Sequence, residues 1–304
     1  MSDWQSYLTP EERQVLADAE DWCNQPQGPL SRAVRLAGRP FELAFGAVPE
    51  ALKEALGRAI HGALSSARQL AGATLSRQGV LDRLSLRLGF DVGAQPNRLL
   101  RVPLGVLDEL ALEILAFHRR AAAVGGGAAG AAGLVGFLGD VPVLYTLLYR
   151  SIQEVATCYG FPVEGEAEEA HMLKVLDVGH FLEDGRRRAG LQELGDLQDL
   201  LRAGVPIQDM ERFAVAKGLE VLARRLAAGL ARRKTTQVVA VVGSLVGAGV
   251  NYQLACDVGT VAFHAYRRRF ILEVAHQRRR RDLEGPPPSP PRNEPGAPEP
   301  PAPE

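Results

Sequence analysis

Cysteine is scarce: the 304 residues hold only Cys23, Cys158 and Cys256, far apart and with no CxxC. That excludes a disulfide scaffold and a thiolate zinc cluster, and it suits a reducing compartment. Aromatics are also few, at 6%, so a core has to be assembled from Ala, Leu and Val. Such a core favours close-packed helices over a β-sandwich, which needs branched and aromatic side chains. No window alternates with period two among β-branched residues, so strands are not expected. Residues 1–21 are polar and acidic and lack the apolar stretch of a secretory signal. GxSxG, HExxH and EF-hand patterns are missing, and the six histidines (61, 118, 171, 180, 264 and 276) have no metal-ligand spacing. Gly125-x-Gly127-x-x-Gly130 matches the dinucleotide fingerprint in letters, but the segment before it reads as a helix, and that motif works only between a strand and a helix. The sequence therefore assigns no catalytic, cofactor-binding or metal-binding residue, and the expectation is a protein without enzymatic activity.

What is present is helical. Thr9-Pro10-Glu11-Glu12 is a capping box with proline at the first helical position, and it opens a helix to about Trp22. From about Pro49 to Arg77 the stripe Leu52, Leu56, Ile60, Leu64, Ala67, Leu70 and Thr74 predicts one long amphipathic helix. Pro103 opens another, with Leu107, Leu110, Ile114 and Phe117 on one face. A Gly-rich segment follows, then an amphipathic stretch that Gly160 ends as a C′ residue. Further helices are predicted at about 166–184, 191–203 and 207–234, the last with a stripe of Val215, Leu219, Leu222, Leu226 and Leu230. Residues 1–281 then form one all-α domain. Residues 282–304 form an acidic tail with ten prolines after residue 284, expected to be disordered because it cannot bury a core.

Two long runs carry no charge. Residues 121–139 include seven glycines among alanines, and residues 235–256 read TTQVVAVVGSLVGAGVNYQLAC. Asp140 interrupts the first and Asp257 the second. Each run starts after basic residues, and each continuation ends on arginine (Arg150, Arg267), which suggests a pseudo-repeat. Gly and Ala gain little from entering hydrocarbon, and Asn251 and Asp257 are costly at mid-bilayer. Small side chains do let helix backbones touch. Gly126, Gly130, Gly133, Gly243 and Gly247 are therefore predicted to pack the two runs against each other at the centre of a bundle. Asp140, Asn251 and Asp257 are predicted as buried polar or capping residues, with a helix break at each aspartate. Three readings remain open: a buried central hairpin, a bundle docked on or partly inserted into a membrane, and a two-pass integral protein.

Charge is segregated within a net of −1. Arg267, Arg268, Arg269, Arg278, Arg279, Arg280 and Arg281 stand against Glu273 alone between residues 267 and 281. Such a block suits anionic lipid, and these seven are the lipid-contact candidates. Phe270 is the one aromatic among them, so the block lacks the stacking platform of a nucleic-acid surface.

Several of these residues resemble the EcsC family. The first stretch is Gly130-Ala-Ala-Gly133, Asp140-x-Pro142, Arg150-x-x-x-Glu154 and Tyr159-Gly160-Phe161. The second is Arg233-Lys234, Val242-Gly243-x-x-x-Gly247-x-x-x-Asn251-Tyr252 and Ala265-Tyr266-Arg267. The resemblance covers residues 10–275 and departs in having no proline before the second glycine pair. It implies a helical, bacterial, membrane-related protein, since the family is named for the third gene of an operon encoding an ABC transporter's ATPase and membrane subunits. It carries over no catalytic residue. The expected role is a membrane-associated accessory or adaptor, linked to an ABC transporter, cytoplasmic and peripheral to the inner face of the membrane. The alternatives are a latent pore-former and an enzyme with a buried carboxylate.

Overall fold

The computed structural model describes residues 3–25, 28, 61–62, 64–73, 76–131, 133–180, 186–206, 209–210 and 240–284. Side chains are described within these ranges except at residues 3, 96–97, 129–141, 186 and 240–247. The described residues contain helices and turns and no strand, so the protein is all-α. After a 3-10 turn at Asp3–Tyr7 come α1 (Pro10–Asn24), α2 (Arg77–Leu88), α3 (Pro96–Leu99), α4 (Leu104–Ala131), α5 (Gly133–Cys158), α6 (Glu166–His180), α7 (Arg186–Arg202) and α8 (Ala240–Glu284). Residues 64–73 are also helical.

Local chemistry sets several of these ends. The capping box at α1 is complete: the Glu12 N–H donates to Thr9 Oγ1 at 3.1 Å, and the Thr9 N–H donates to Glu12 Oε2 at 2.8 Å. Gly160 ends α5 with φ +82°, a conformation other residues resist. The Phe161 N–H then reaches back to the Ala156 carbonyl at 2.9 Å, closing a Schellman-type stop.

Other elements depart from the expectations. The predicted helix to Arg77 gives way to a new one, because Ser76 caps α2 by accepting the Gly79 N–H at 3.1 Å. Its stripe also turns: Leu64, Ala67 and Ala71 are fully buried, whereas Leu70 is half-exposed. The first uncharged run is shared between α4 and α5, and α5 runs through Asp140 and Pro142 without a break. α8 likewise runs unbroken through Asp257. An i,i+4 partner removes the need for a break there, since Gln253 Nε2 donates to Asp257 Oδ1 at 2.9 Å. α8 is described as far as Glu284, beyond residue 281. The predicted helix over 207–234, the remaining tail and most of the 49–60 stripe lie outside the described residues.

The main core cluster is centred on α8, with smaller clusters around Leu197 and around Ile271. Leu107, Leu110, Ala111 and Ile114 of α4, Leu148, Ile152 and Val155 of α5, and Leu173 and Leu176 of α6 close around Val258, Val261, Ala262 and Tyr266. α4 and α8 make the most extensive helix pair. They run antiparallel in a register marked three times: Asp108 meets Arg267, Leu115 meets Gly259 and Arg119 meets Cys256. Every step forward on α4 is a step back on α8. The same register, continued to the next turns, sets Gly126 level with Gly249.

The tightest helix contact uses a glycine that sequence patterning passed over. A Cβ on Gly179 of α6 would stand 2.5 Å from the Val258 Cα and 3.0 Å from its backbone nitrogen. Gly179→Ala should therefore lower stability by roughly 1–3 kcal/mol through overpacking. Gly249→Ala, whose Cβ would meet nothing within 4 Å, should be neutral or raise stability by up to about 1 kcal/mol. Urea midpoints of the two variants give the comparison.

Candidate functional site

Successive helix residues point about 100° apart, so a run of arginines on a surrounded helix must reach different neighbours. Arg267 turns to α4 and α1, with Nη2 2.7 Å from Asp108 Oδ2 and Nη1 3.7 Å from Asp18. Arg268 turns to α7 and donates to the Leu191 carbonyl at 3.3 Å. It fits there because Gly195 has no side chain: a Cβ would be 2.6 Å from Arg268 Nη1. Arg269 turns to α6, donating to both oxygens of Glu168 at 2.7 and 2.9 Å over the face of Phe161 at 4.1 Å. Arg278 reaches the N-terminal segment, donating to Glu12 at 2.6 and 2.8 Å and to the Tyr7 carbonyl at 2.9 Å. Arg280 pairs with Glu273 at 3.1 Å, Arg279 is half-buried, and Arg281 is exposed. This corrects the picture of seven arginines facing lipid: Arg267, Arg268, Arg269 and Arg278 are structural, because the carboxylates and carbonyls around α8 take them inward.

Two tyrosines complete these pairs. Tyr266 donates to Glu168 at 2.7 Å and Tyr159 donates to Asp108 at 2.6 Å. Burial first, and the adjoining carboxylates second, push both phenols well above their ordinary value. Burial likewise raises the Asp108 carboxyl despite Tyr159 and Arg267. His171, one turn after Glu168 on α6, packs edge-on to Tyr266 at 5.2 Å. Burial, then Arg269, hold it far below the usual histidine range. His264 stacks on Trp22 at 4.6 Å, and burial, then Arg267, lower it to about 4. A third group joins α4 and α5: His118 Nε2 lies 3.2 Å from Glu154 Oε2, and Arg150 Nε donates to Glu154 Oε1 at 2.9 Å. Burial raises the Glu154 carboxyl, but His118 and Arg150 outweigh it and hold the group below its ordinary value.

The other end of the α4–α5–α8 unit is different. Between Arg120 on α4 and Arg150 on α5 the sequence has no charged residue except Asp140. α8 has none between its start and Asp257. Val124 and Val143 on the hairpin arms remain exposed, as does Phe117 one turn below the arginines. Of the predicted packing glycines, Gly126 is buried. Gly130 lies in helical backbone of α4, Gly133 in α5, and Gly243 and Gly247 in α8, with their surroundings outside the described residues. Asn251 is buried as expected, and Asp257 has Gln253. Asp140 lies within α5, its side chain outside the described set. Sequence reasoning missed Glu168, Asp108 and His171: the run Glu166, Glu168, Glu169 reads as first-turn acids complementing a helix dipole, and nothing local marks which one is buried.

Two surface grooves lie elsewhere. One of about 590 Å³ is bounded by Arg77, Asp91, Leu99 and Gly160, and one of about 410 Å³ by Arg202, His276, Arg279 and Leu283. Asp257 lines neither. Among the described residues no three or more His, Cys, Asp or Glu are placed to hold a metal, and no helix is long and apolar enough to cross a membrane.

An all-α bundle with internally paired arginines at one end and a small-residue, uncharged hairpin at the other is the frame against which relatives can be compared. The EcsC protein family matches residues 13–271, and the chain belongs to that family. It is 26% identical over 266 residues to the uncharacterized protein YdbA of Bacillus subtilis (strain 168), covering 86% of this chain and 93% of YdbA. It is 24% identical over 168 residues to protein EcsC of the same organism, covering 55% of this chain and 65% of EcsC, just under two thirds of that relative's length. No solved structure matches.

Glu168→Gln leaves Arg269, largely but not fully covered, without its countercharge and should cost roughly 2–4 kcal/mol, read from urea or thermal unfolding. The histidines give a pH dependence. His264 and His171 are neutral when folded and regain a value near 6.5 when unfolded, so the unfolded chain takes up more protons below that pH. Stability should therefore be full above about pH 6.5 and fall as the pH drops from there toward 4. His264→Phe, which keeps a ring against Trp22, should flatten the decline between pH 6.5 and 5 by up to about 1.4 kcal/mol per pH unit.

Proposed function

We propose that this chain is a non-enzymatic, membrane-associated accessory protein acting at the inner face of the membrane. The observation that carries the reading is the axial segregation of charge. One end of the bundle matches its arginines to carboxylates, whereas residues 121–149 hold Asp140 as their one charged residue and expose Val124 and Val143. In this reading Val124 and Val143, exposed on the two arms of the hairpin, belong to a contact surface. The arginine block enters this proposal as the fastening of the bundle, and the uncharged end as its working surface. A membrane-protein partner, of the transporter class that the family resemblance implies, would be met at the same surface.

Flotation of the full chain with liposomes tests the reading. Binding to vesicles containing phosphatidylglycerol, with weaker binding to pure phosphatidylcholine, is the expected result, because Arg120 stands exposed where the apolar stretch begins. Recovery of the protein at the bottom of the gradient with both compositions would refute it. Arg281→Gln, at an exposed position remote from that end, should leave flotation unchanged.

A further inference from the structure

We propose that the groove where α7 ends against α8 binds a phosphomonoester, with Arg202, Arg279 and Arg280 as its anion-binding residues. This goes beyond the membrane reading and does not depend on it, because the groove lies at the paired-charge end of the bundle.

The groove is a step between two helices of unequal reach. α7 and α8 run parallel where they meet: Gly195 lies against Arg268, and Arg202 pairs with Glu273 at 3.2 Å. α7 stops at Arg202, and Gly204 (φ +75°) turns the chain aside, with the Val205 N–H returning to the Leu200 carbonyl at 3.1 Å. α8 continues to Glu284, about 16 Å past Glu273 at 1.5 Å per residue. Glu273, His276, Arg280 and Leu283 recur every three or four residues and so share one face of α8. With Arg202 and Arg279 they line about 410 Å³, the size of a small-molecule site.

Charge in this groove does not balance. Glu273 receives Arg202 on Oε2 at 3.2 Å and Arg280 on Oε1 at 3.1 Å. One carboxylate therefore faces three guanidiniums, and Asp199, Asp282 and Glu284 are not among the lining residues. The excess is two positive charges, which a phosphomonoester's charge of about −1.5 to −2 at pH 7 matches. A single carboxylate ligand would leave half of that excess. Glu273 engages only an Nη2 of Arg202 and of Arg280, and each planar fork has further N–H donors suited to phosphate oxygens.

His276 makes the site responsive to pH. Burial first, then Arg202 and Arg279, hold its ring below the usual histidine range, against the opposing pull of Glu273 and Asp199. A dianion in the groove offsets the guanidiniums and favours the protonated ring. Binding then takes up a proton, and it strengthens as the pH falls below about 6.5.

The test uses the full chain with Trp22→Phe, which keeps an aromatic ring on His264. Trp4 is then the one tryptophan, with its ring 6.5 Å from that of His276. Its emission is followed as inorganic phosphate or glycerol phosphate is added at constant ionic strength, and calorimetry on the unmodified chain checks the constants. The expected result is saturable binding with a Kd of about 1 mM or below, the level that three charge-assisted contacts support. Sulfate, whose charge is constant in this range, should bind more tightly at about pH 5.5 than at about pH 7.5, and His276→Gln should remove that difference, holding the affinity near its higher-pH value. Arg280→Gln, at a position 63% exposed, should weaken phosphate binding about tenfold. Glu273→Gln removes the competing carboxylate and should strengthen it severalfold. Arg281→Gln, outside the lining, should leave it unchanged. Flotation on vesicles containing phosphatidic acid separates the two sources of the ligand. Flotation that Arg280→Gln abolishes assigns a lipid headgroup, whereas saturation by glycerol phosphate with flotation unaffected assigns a soluble phosphomonoester, and either supports the site. Absence of saturable binding up to about 10 mM phosphate overturns the proposal. So does binding that neither Arg280→Gln nor Glu273→Gln alters. Neither of these results bears on flotation with phosphatidylglycerol, on which the membrane reading stands or falls.

Discussion

Arg269 lies within the bundle against Glu168, where neither charge would be stable alone. Arg267 with Asp108 is largely covered in the same way, whereas Arg278 with Glu12 is partly exposed to solvent. Buried pairs of this kind add little net stability compared with apolar side chains of the same volume, but breaking one is costly. Their effect is therefore selective. Three arginines on one helix must meet carboxylates on three different neighbours, α4, α6 and α1. Sliding α8 by a single residue would turn it about 100° and shift it about 1.5 Å, and all three pairs would fail together.

That constraint places the rest of α8. Once Arg267 is on Asp108, Gly259 falls against Leu115 and Val258 against Gly179, where only a missing side chain permits the approach. Farther along, the small-residue half of α8 lies beside the glycine-rich half of α4. Ala and Gly bury little area, so that end contributes less cohesion than the Leu, Ile, Val and Tyr layers below it. The bundle is held at its charged end, and this leaves the other end at liberty to be small, uncharged and partly exposed.

Legibility in the sequence tracked the range of the interaction. The capping box at Thr9 and the stop at Gly160 involve neighbours within a few residues, and both were readable. So was the Leu107, Leu110, Ile114 stripe, although Phe117, placed on the same face by spacing alone, points outward. The register of α4 against α8 became visible only with Asp108 and Arg267 in place. The arginine block was misread because its partners are distant in sequence: Glu12 is 266 residues from Arg278 and Glu168 is 101 from Arg269. A run of like charge looks solvent-facing or lipid-facing until those acids are brought to it. The break expected at Asp257 was a different error, because Gln253 one turn earlier was already in the sequence to receive it.

Some of the residues that carry the family resemblance converge in space. Tyr159 holds Asp108 for Arg267, Gly160 turns the chain under Leu99, and Phe161 lies beneath Arg269. Tyr266 holds Glu168, and Arg150 holds Glu154. Each of these is engaged in packing, turning or neutralising, and this part of the resemblance describes a shared frame more than a shared chemistry. The other part, Gly130, Gly133, Asp140, Pro142, Gly243, Gly247 and Asn251, lies in the two small-residue segments. Small side chains suit close backbone approach rather than chemistry, so that part of the resemblance too points to a frame and assigns no reaction.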